Sequence, residues 1–154
     1  MTENTHADHD PTRSTPEQPI HPPTSSGVLY PTDDIIAVIA DHSEAERAVQ
    51  ALVDAGIPSA DINLLEGKQV LQLERESQER QTLLGRVGTF IAFLMSDEGE
   101  YQQQYVDEAA KGHHIVVIHA QEREVVERAR DVLVAHHARY ARHYGSLAVE
   151  DLVP

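Results

Sequence analysis

Ten histidines in 154 residues are the chain's most conspicuous source of chemistry. Neutral imidazole is a common metal ligand and titrates near physiological pH. The tightest group is His113, His114 and His119, around the apolar run Ile115-Val-Val-Ile118, which reads as a strand. Side chains alternate faces along a strand, so His114 and His119 point to opposite faces. His113 and His119 share a face, but they lie roughly 20 Å apart at ~3.3 Å per residue, too far to hold one ion. His136 and His137 diverge at a helix end, where the dipole favours imidazolium. His6 and His9 sit beside Asp8 and Asp10, a setting for adventitious binding. The spacing therefore predicts no metal site.

The other reactive residue types point the same way. Asp33, Asp34 and Asp41 bracket the apolar run Ile35–Ala40. Paired acids do acid–base work only if burial splits their pKa values, and these read as exposed acids at a strand entrance and a helix start. Gly85-Arg-Val-Gly88 lacks the Lys-Ser or Lys-Thr of a phosphate loop. No Gly-x-Ser-x-Gly elbow is present, and the absence of Cys removes thiol nucleophiles, thiolate metal sites and disulfides. The expectation is a non-enzyme with no catalytic residue and no cofactor. Arg139-Tyr-Ala-Arg-His-Tyr144 is the one basic, aromatic patch; it reads as a solvated helix-to-strand connection. The net charge of −14 argues against nucleic acid and anionic membrane partners, which need clustered Lys and Arg. The absence of Cys is compatible with a cytoplasmic protein, and no secretory signal is visible.

The elements that must position these residues are a duplicated unit. Glu46-Arg-Ala-Val-Gln-Ala-Leu-Val53 nearly recurs as Glu127-Arg-Ala-Arg-Asp-Val-Leu-Val134. Each copy follows an apolar run, Ile35–Ile39 or Ile115–Ile118, of the kind found in strands buried on both faces. Ser43 reads as an N-cap, with Glu46 completing a capping box. Ala45, Ala48, Val49 and Leu52 form one helical face, and Gly56 and Pro58 end the helix. Asp61–Leu65 reads as the next strand. The second helix spans Glu122–His136, with Val125, Ala129, Val132 and Leu133 inward. The last strand is expected over Tyr144–Val149, with Leu147 and Val149 alternating with polar or small neighbours. Between the halves, 67–111 is a helical insertion. It carries one stripe of Leu83, Leu84, Val87, Phe90, Ile91 and Leu94 and another of Tyr101, Tyr105 and Ala109, closed by Gly112. Residues 1–30 form a polar, Pro- and His-rich tail, expected to be disordered because it has too little apolar surface to offset ordering entropy. That tail holds four acids against one base, so most of the negative charge lies on 31–154. The predicted fold is one α+β domain, ferredoxin-like, with a duplicated β-α-β and the helical insertion between the halves.

Asp34-Ile-Ile-Ala-Val-Ile-Ala-Asp-His-Ser-Glu-Ala-Glu-Arg-Ala-Val-Gln-Ala-Leu-Val-Asp-Ala-Gly56 resembles the opening of the bacterial general stress protein 17M-like domain, also called the heat-induced stress protein domain. The shared pattern is an apolar strand, a Ser–Glu capped helix built on Glu-Ala-Glu, and Ala-Gly before the strand at Ile62–Leu65. Lys111-Gly-His-His-Ile-Val-Val-Ile118 and the terminal Tyr144-Gly and Glu150-Asp-Leu152 also resemble larger members. The resemblance implies a bacterial stress-associated protein and carries no catalytic motif.

Two functional expectations follow. The stripe Leu83, Leu84, Val87, Phe90, Ile91 and Leu94 either covers the open face of the sheet or pairs with a second subunit; as a candidate self-association face it predicts a homo-oligomer, a dimer first, and action through self-association or protein binding. The alternative is a regulatory module that takes a small-molecule effector in a cleft at Asp41, His119 and Tyr144. A His-based metal binder or cryptic enzyme ranks below both.

Overall fold

The structure is a computed structural model and describes residues 31–79, 85–96 and 100–154. Strands β1 (Asp34–Ile39), β2 (Ile62–Leu65), β3 (His114–His119), β4 (Arg139–Tyr144) and β5 (Val149–Val153) form one antiparallel sheet in the order β2-β3-β1-β4-β5. Helix α1 (His42–Asp54) joins β1 to β2 across β3. Helix α5 (Arg123–Ala135) joins β3 to β4 across β1. Helices α2 (Gly67–Glu79), α3 (Gly85–Leu94) and α4 (Glu100–Ala110) all lie between β2 and β3 in sequence. The expected tail over 1–30 lies outside the described residues, as do Leu83 and Leu84. Among the described residues no helix is long and apolar enough to cross a membrane.

The central strands are apolar on both faces because helices cover both. Ile35, Ala37, Ile39, Val116 and Ile118 pack with Ala45, Ala48 and Leu52 of α1 and Val126, Ala129 and Leu133 of α5. The buried helix positions correspond at a constant offset of 81 positions (129 minus 48). The two helices also stop in the same way. Gly56 and His137 both take positive φ, and the amides of Ile57 and Ala138 reach back to the carbonyls of Leu52 and Leu133. This is a Schellman stop, in which the left-handed residue lets two terminal carbonyls be satisfied.

The opposite face buries Ile36, Val38, Ile115 and Val117 against Val70 of α2, Phe90, Ile91, Phe93 and Leu94 of α3, and Tyr105 and Ala109 of α4. That corrects the self-association face. Phe90, Ile91 and Leu94 are buried within the chain, and Val87 packs half-buried beside them. A sheet with α1 and α5 on one face needs its other face covered, and α3 helps to do this.

Three local expectations are also revised. Asp41, not Ser43, caps α1, accepting the Glu44 amide at 2.9 Å. In α5 Val126 is buried beside Ala129 and Leu133, while Val125 and Val132 are half-buried. The C-terminal strand begins earlier than expected, since the patch Arg139–Tyr144 is itself β4 and pairs with β1. Residues 145–148 form the turn to β5, closed by the Gly145 amide on the Ala148 carbonyl at 3.0 Å, and Leu147 at its tip is 99% exposed. The charged, aromatic composition of β4 conceals a strand whose Arg142 turns inward.

Candidate functional site

Because β1 and β3 are antiparallel, the end of β1 lies beside the start of β3, with Ile39 opposite His114. The end of β2 lies at the same rim, with Leu65 opposite Ile115. His42 opens α1 just after β1, and Glu66 follows β2. Three elements thus deliver His42, Glu66 and His114 to one place, where a donor atom from each lies within 4.8 Å of the others. Gly67 makes the Glu66 corner possible. A Cβ there would stand 2.3 Å from the Ala109 carbonyl oxygen and 2.8 Å from that of His113, so only glycine lets α2 start this close to α4 and β3.

His42 Nδ1 lies 3.0 Å from His114 Nε2, and the rings are tilted by 47°. The far nitrogen of His42, Nε2, is 3.2 Å from a Glu46 carboxylate oxygen. His114 is only 7% exposed, and among the described residues its Nδ1 makes no hydrogen bond. Burial and the neighbouring His42 push its pKa down, against the opposite pull of Glu66, Asp41 and the Ala40 backbone. A ring so placed favours the neutral form, which is the ligand form. The chain can therefore hold two imidazole nitrogens and a carboxylate oxygen toward one point.

The expected cleft divides between two ends of the sheet. His119 and Tyr144 flank Asp34 in one row, since Asp34 pairs with both. Asp41 lies at the opposite end of β1, roughly 20 Å away at ~3.3 Å per residue, beside His114. Tyr144 is buried, packing edge-on against Phe93 and bonding the Tyr105 hydroxyl. His119 Nδ1 is 3.1 Å from Asp34 Oδ1, with Arg86 Nε of α3 3.4 Å from the same oxygen. Burial pushes the Asp34 carboxyl up against the opposing pull of His119 and Arg86. Arg86 also bonds the Ala60 carbonyl, so this group fastens α3 to the sheet.

Among the described residues His113, His136 and His143 have structural partners, the last with its Nε2 3.0 Å from the Ala120 carbonyl. His113 Nδ1 is 2.5 Å from Glu108, and His136 Nδ1 is 2.7 Å from Glu44. Arg142 lies between the rings of Tyr101 and Tyr105 and bonds Gln104, Asp151 and the Tyr105 hydroxyl. It is a buried brace, not a surface for bases or phosphates.

No family model, curated protein or solved structure matches the chain. Sequence reasoning missed His42 and Glu66 because they stand far from His114 in the chain. The signal available was the antiparallel split β-α-β, which brings the ends of β1 and β2 to the start of β3.

Proposed function

We infer that this chain is a non-enzymatic binding module of ferredoxin-like architecture that takes a small ligand at the rim of His42, Glu66 and His114. The observation that carries this reading is the convergence of three donors from three elements, one of them on a buried imidazole. The strand order, with each repeat's helix crossing one intervening strand, supports the ferredoxin-like reading, and the constant offset between the two helical cores supports duplication. The resemblance to the general stress protein 17M-like family rests on the Asp34–Gly56 pattern; a bacterial stress association is proposed on that pattern alone. Self-association is not assigned to α3, whose apolar stripe is used inside the chain.

The test is a thermal-shift screen of the full chain against divalent metals and against anionic and neutral metabolites, repeated on His42→Ala. A ligand that binds only the native state stabilises it by about 2.7 kcal/mol at a hundredfold excess over Kd. At least one compound should raise the melting point of the parent and not of the variant. A screen without any such compound refutes the reading.

A further inference from the structure

We propose that the rim site is a transition-metal centre for a divalent ion of the zinc class, held by His42 Nδ1, His114 Nε2 and a Glu66 carboxylate oxygen, with a fourth position open to an outside ligand. The proposal rests on the binding-module reading and gives that module's ligand a chemistry.

The geometry is close to what the ion needs. Zinc binds imidazole nitrogen at about 2.0–2.1 Å in tetrahedral sites, which puts two ligating nitrogens about 3.3 Å apart. The His42 and His114 nitrogens stand 3.0 Å apart, so a few tenths of an ångström of ring movement admits the ion. Two imidazoles and one carboxylate are the three-protein-ligand set of open zinc sites. Calcium or magnesium would demand a shell built mainly of oxygens, and one carboxylate is too few.

The surrounding residues fit the same role. A ligating histidine commonly gives its other N–H to a carboxylate, which fixes its tautomer and raises its basicity. Glu46, one turn along α1, stands 3.2 Å from the far nitrogen of His42. Burial holds the His114 ring in place. The positive end of the α1 dipole opposes a cation here. Asp41 at the N-cap, with Glu46 and Glu66, supplies the negative charge that offsets it.

Without the ion, a hydrogen bond between the two rings accounts for their 3.0 Å approach, so the experiment must separate the two accounts. Zinc is titrated into the full chain by calorimetry, in parallel with His42→Ala and Glu66→Gln, and Co²⁺ absorption reports the coordination number. His42 and Glu66 are exposed, so these variants should fold; circular dichroism checks that they do. The expected result is one tight site per chain, weakened about 100-fold by either substitution, with Co²⁺ bands of a four-coordinate ion. Glu46→Ala acts through His42 and should weaken binding about 10-fold. Zinc binding of equal strength in parent, His42→Ala and Glu66→Gln overturns the metal assignment, because histidines elsewhere in the chain then hold the ion. Absence of binding overturns it too. In either case a metabolite whose thermal shift is lost in His42→Ala still supports the module reading, while no such metabolite removes both.

Discussion

Replacing Tyr105 by Phe removes one oxygen from the centre of the face covered by α2, α3 and α4. That hydroxyl donates to the Tyr140 carbonyl at 3.0 Å and accepts from Arg142 Nη1 at 3.2 Å and from the Tyr144 hydroxyl at 3.3 Å. The Tyr140 carbonyl belongs to a bulge in β4, where the register against β1 shifts between Ile36 and Val38 and Tyr140 takes φ +53°. A neutral hydrogen bond contributes about 1 kcal/mol net, and one to a charged group about 1.5–3 kcal/mol, with a further cost when a buried partner is orphaned. Three bonds lost, one from a guanidinium, sum to about 4 kcal/mol. The easier burial of a phenyl ring returns roughly 1 kcal/mol, leaving about 3 kcal/mol of destabilisation. For a domain of this size that lowers Tm by roughly 10 °C. Urea unfolding followed by far-ultraviolet circular dichroism measures it, with Tyr101→Phe as control. Tyr101 offers its exposed ring face to Arg142, and Phe keeps that face, so the control should stay within about 0.5 kcal/mol of the parent. If Tyr105→Phe matched the control, the hydroxyl would not be the brace that joins Arg142 to the bulge.

Gly67→Ala should destabilise by about 3 kcal/mol, at the upper end of overpacking costs, because the new methyl meets two backbone carbonyl oxygens; a urea midpoint near the parent's would show that the corner can yield. Asp34→Asn should alter the pH dependence of stability. Burial raises the folded carboxyl above its ordinary 3.8, so the folded state binds that proton more tightly than the unfolded chain does, and its contribution is present at acid pH and lost as pH rises through the raised value. The stability of the Asp34→Asn variant minus that of the parent should therefore grow from about pH 3 to about pH 7, and a gap that stayed constant or shrank would contradict the dominance of burial. Leu147→Ser, at the fully exposed tip of the β4–β5 turn, should leave stability within about 0.5 kcal/mol by the same denaturation assay.

The strand and helix runs of β1, α1, β3 and α5 were legible because their determinants are local. The apolar runs of β1 and β3, Ala48 and Leu52, and Ala129 and Leu133 carry strand and helix periods that survive as buried positions. The stop at Gly56 was legible for the same reason, whereas its counterpart at His137 was not, since histidine is an uncommon left-handed residue. The strand β4 was hidden by composition, as Arg142 is buried only through partners on α4 and β5 that no local pattern encodes. The stripe on α3 was legible as apolar, but whether it covers the sheet or a second subunit was not, because periodicity marks a face for burial without naming what buries it. His42, Glu66 and His114 were illegible as a group since their proximity is a product of antiparallel register, which exists only once β1, β2 and β3 have paired.

Strand order also sets a timetable for synthesis. Among the described strands β1 leaves the ribosome first, yet it lies between β3 and β4, and its partners run from His114 to Tyr144. Both edges of β1 stay unpaired until most of the chain has been made. An apolar strand with two open edges is a template for pairing with another chain, and closing loops of this length must precede any reward from non-local contacts. Pairing of β1 is therefore completed late, and one of its apolar edges stays open until β4 emerges. A chain cut short before Arg139 leaves one edge of β1 permanently open.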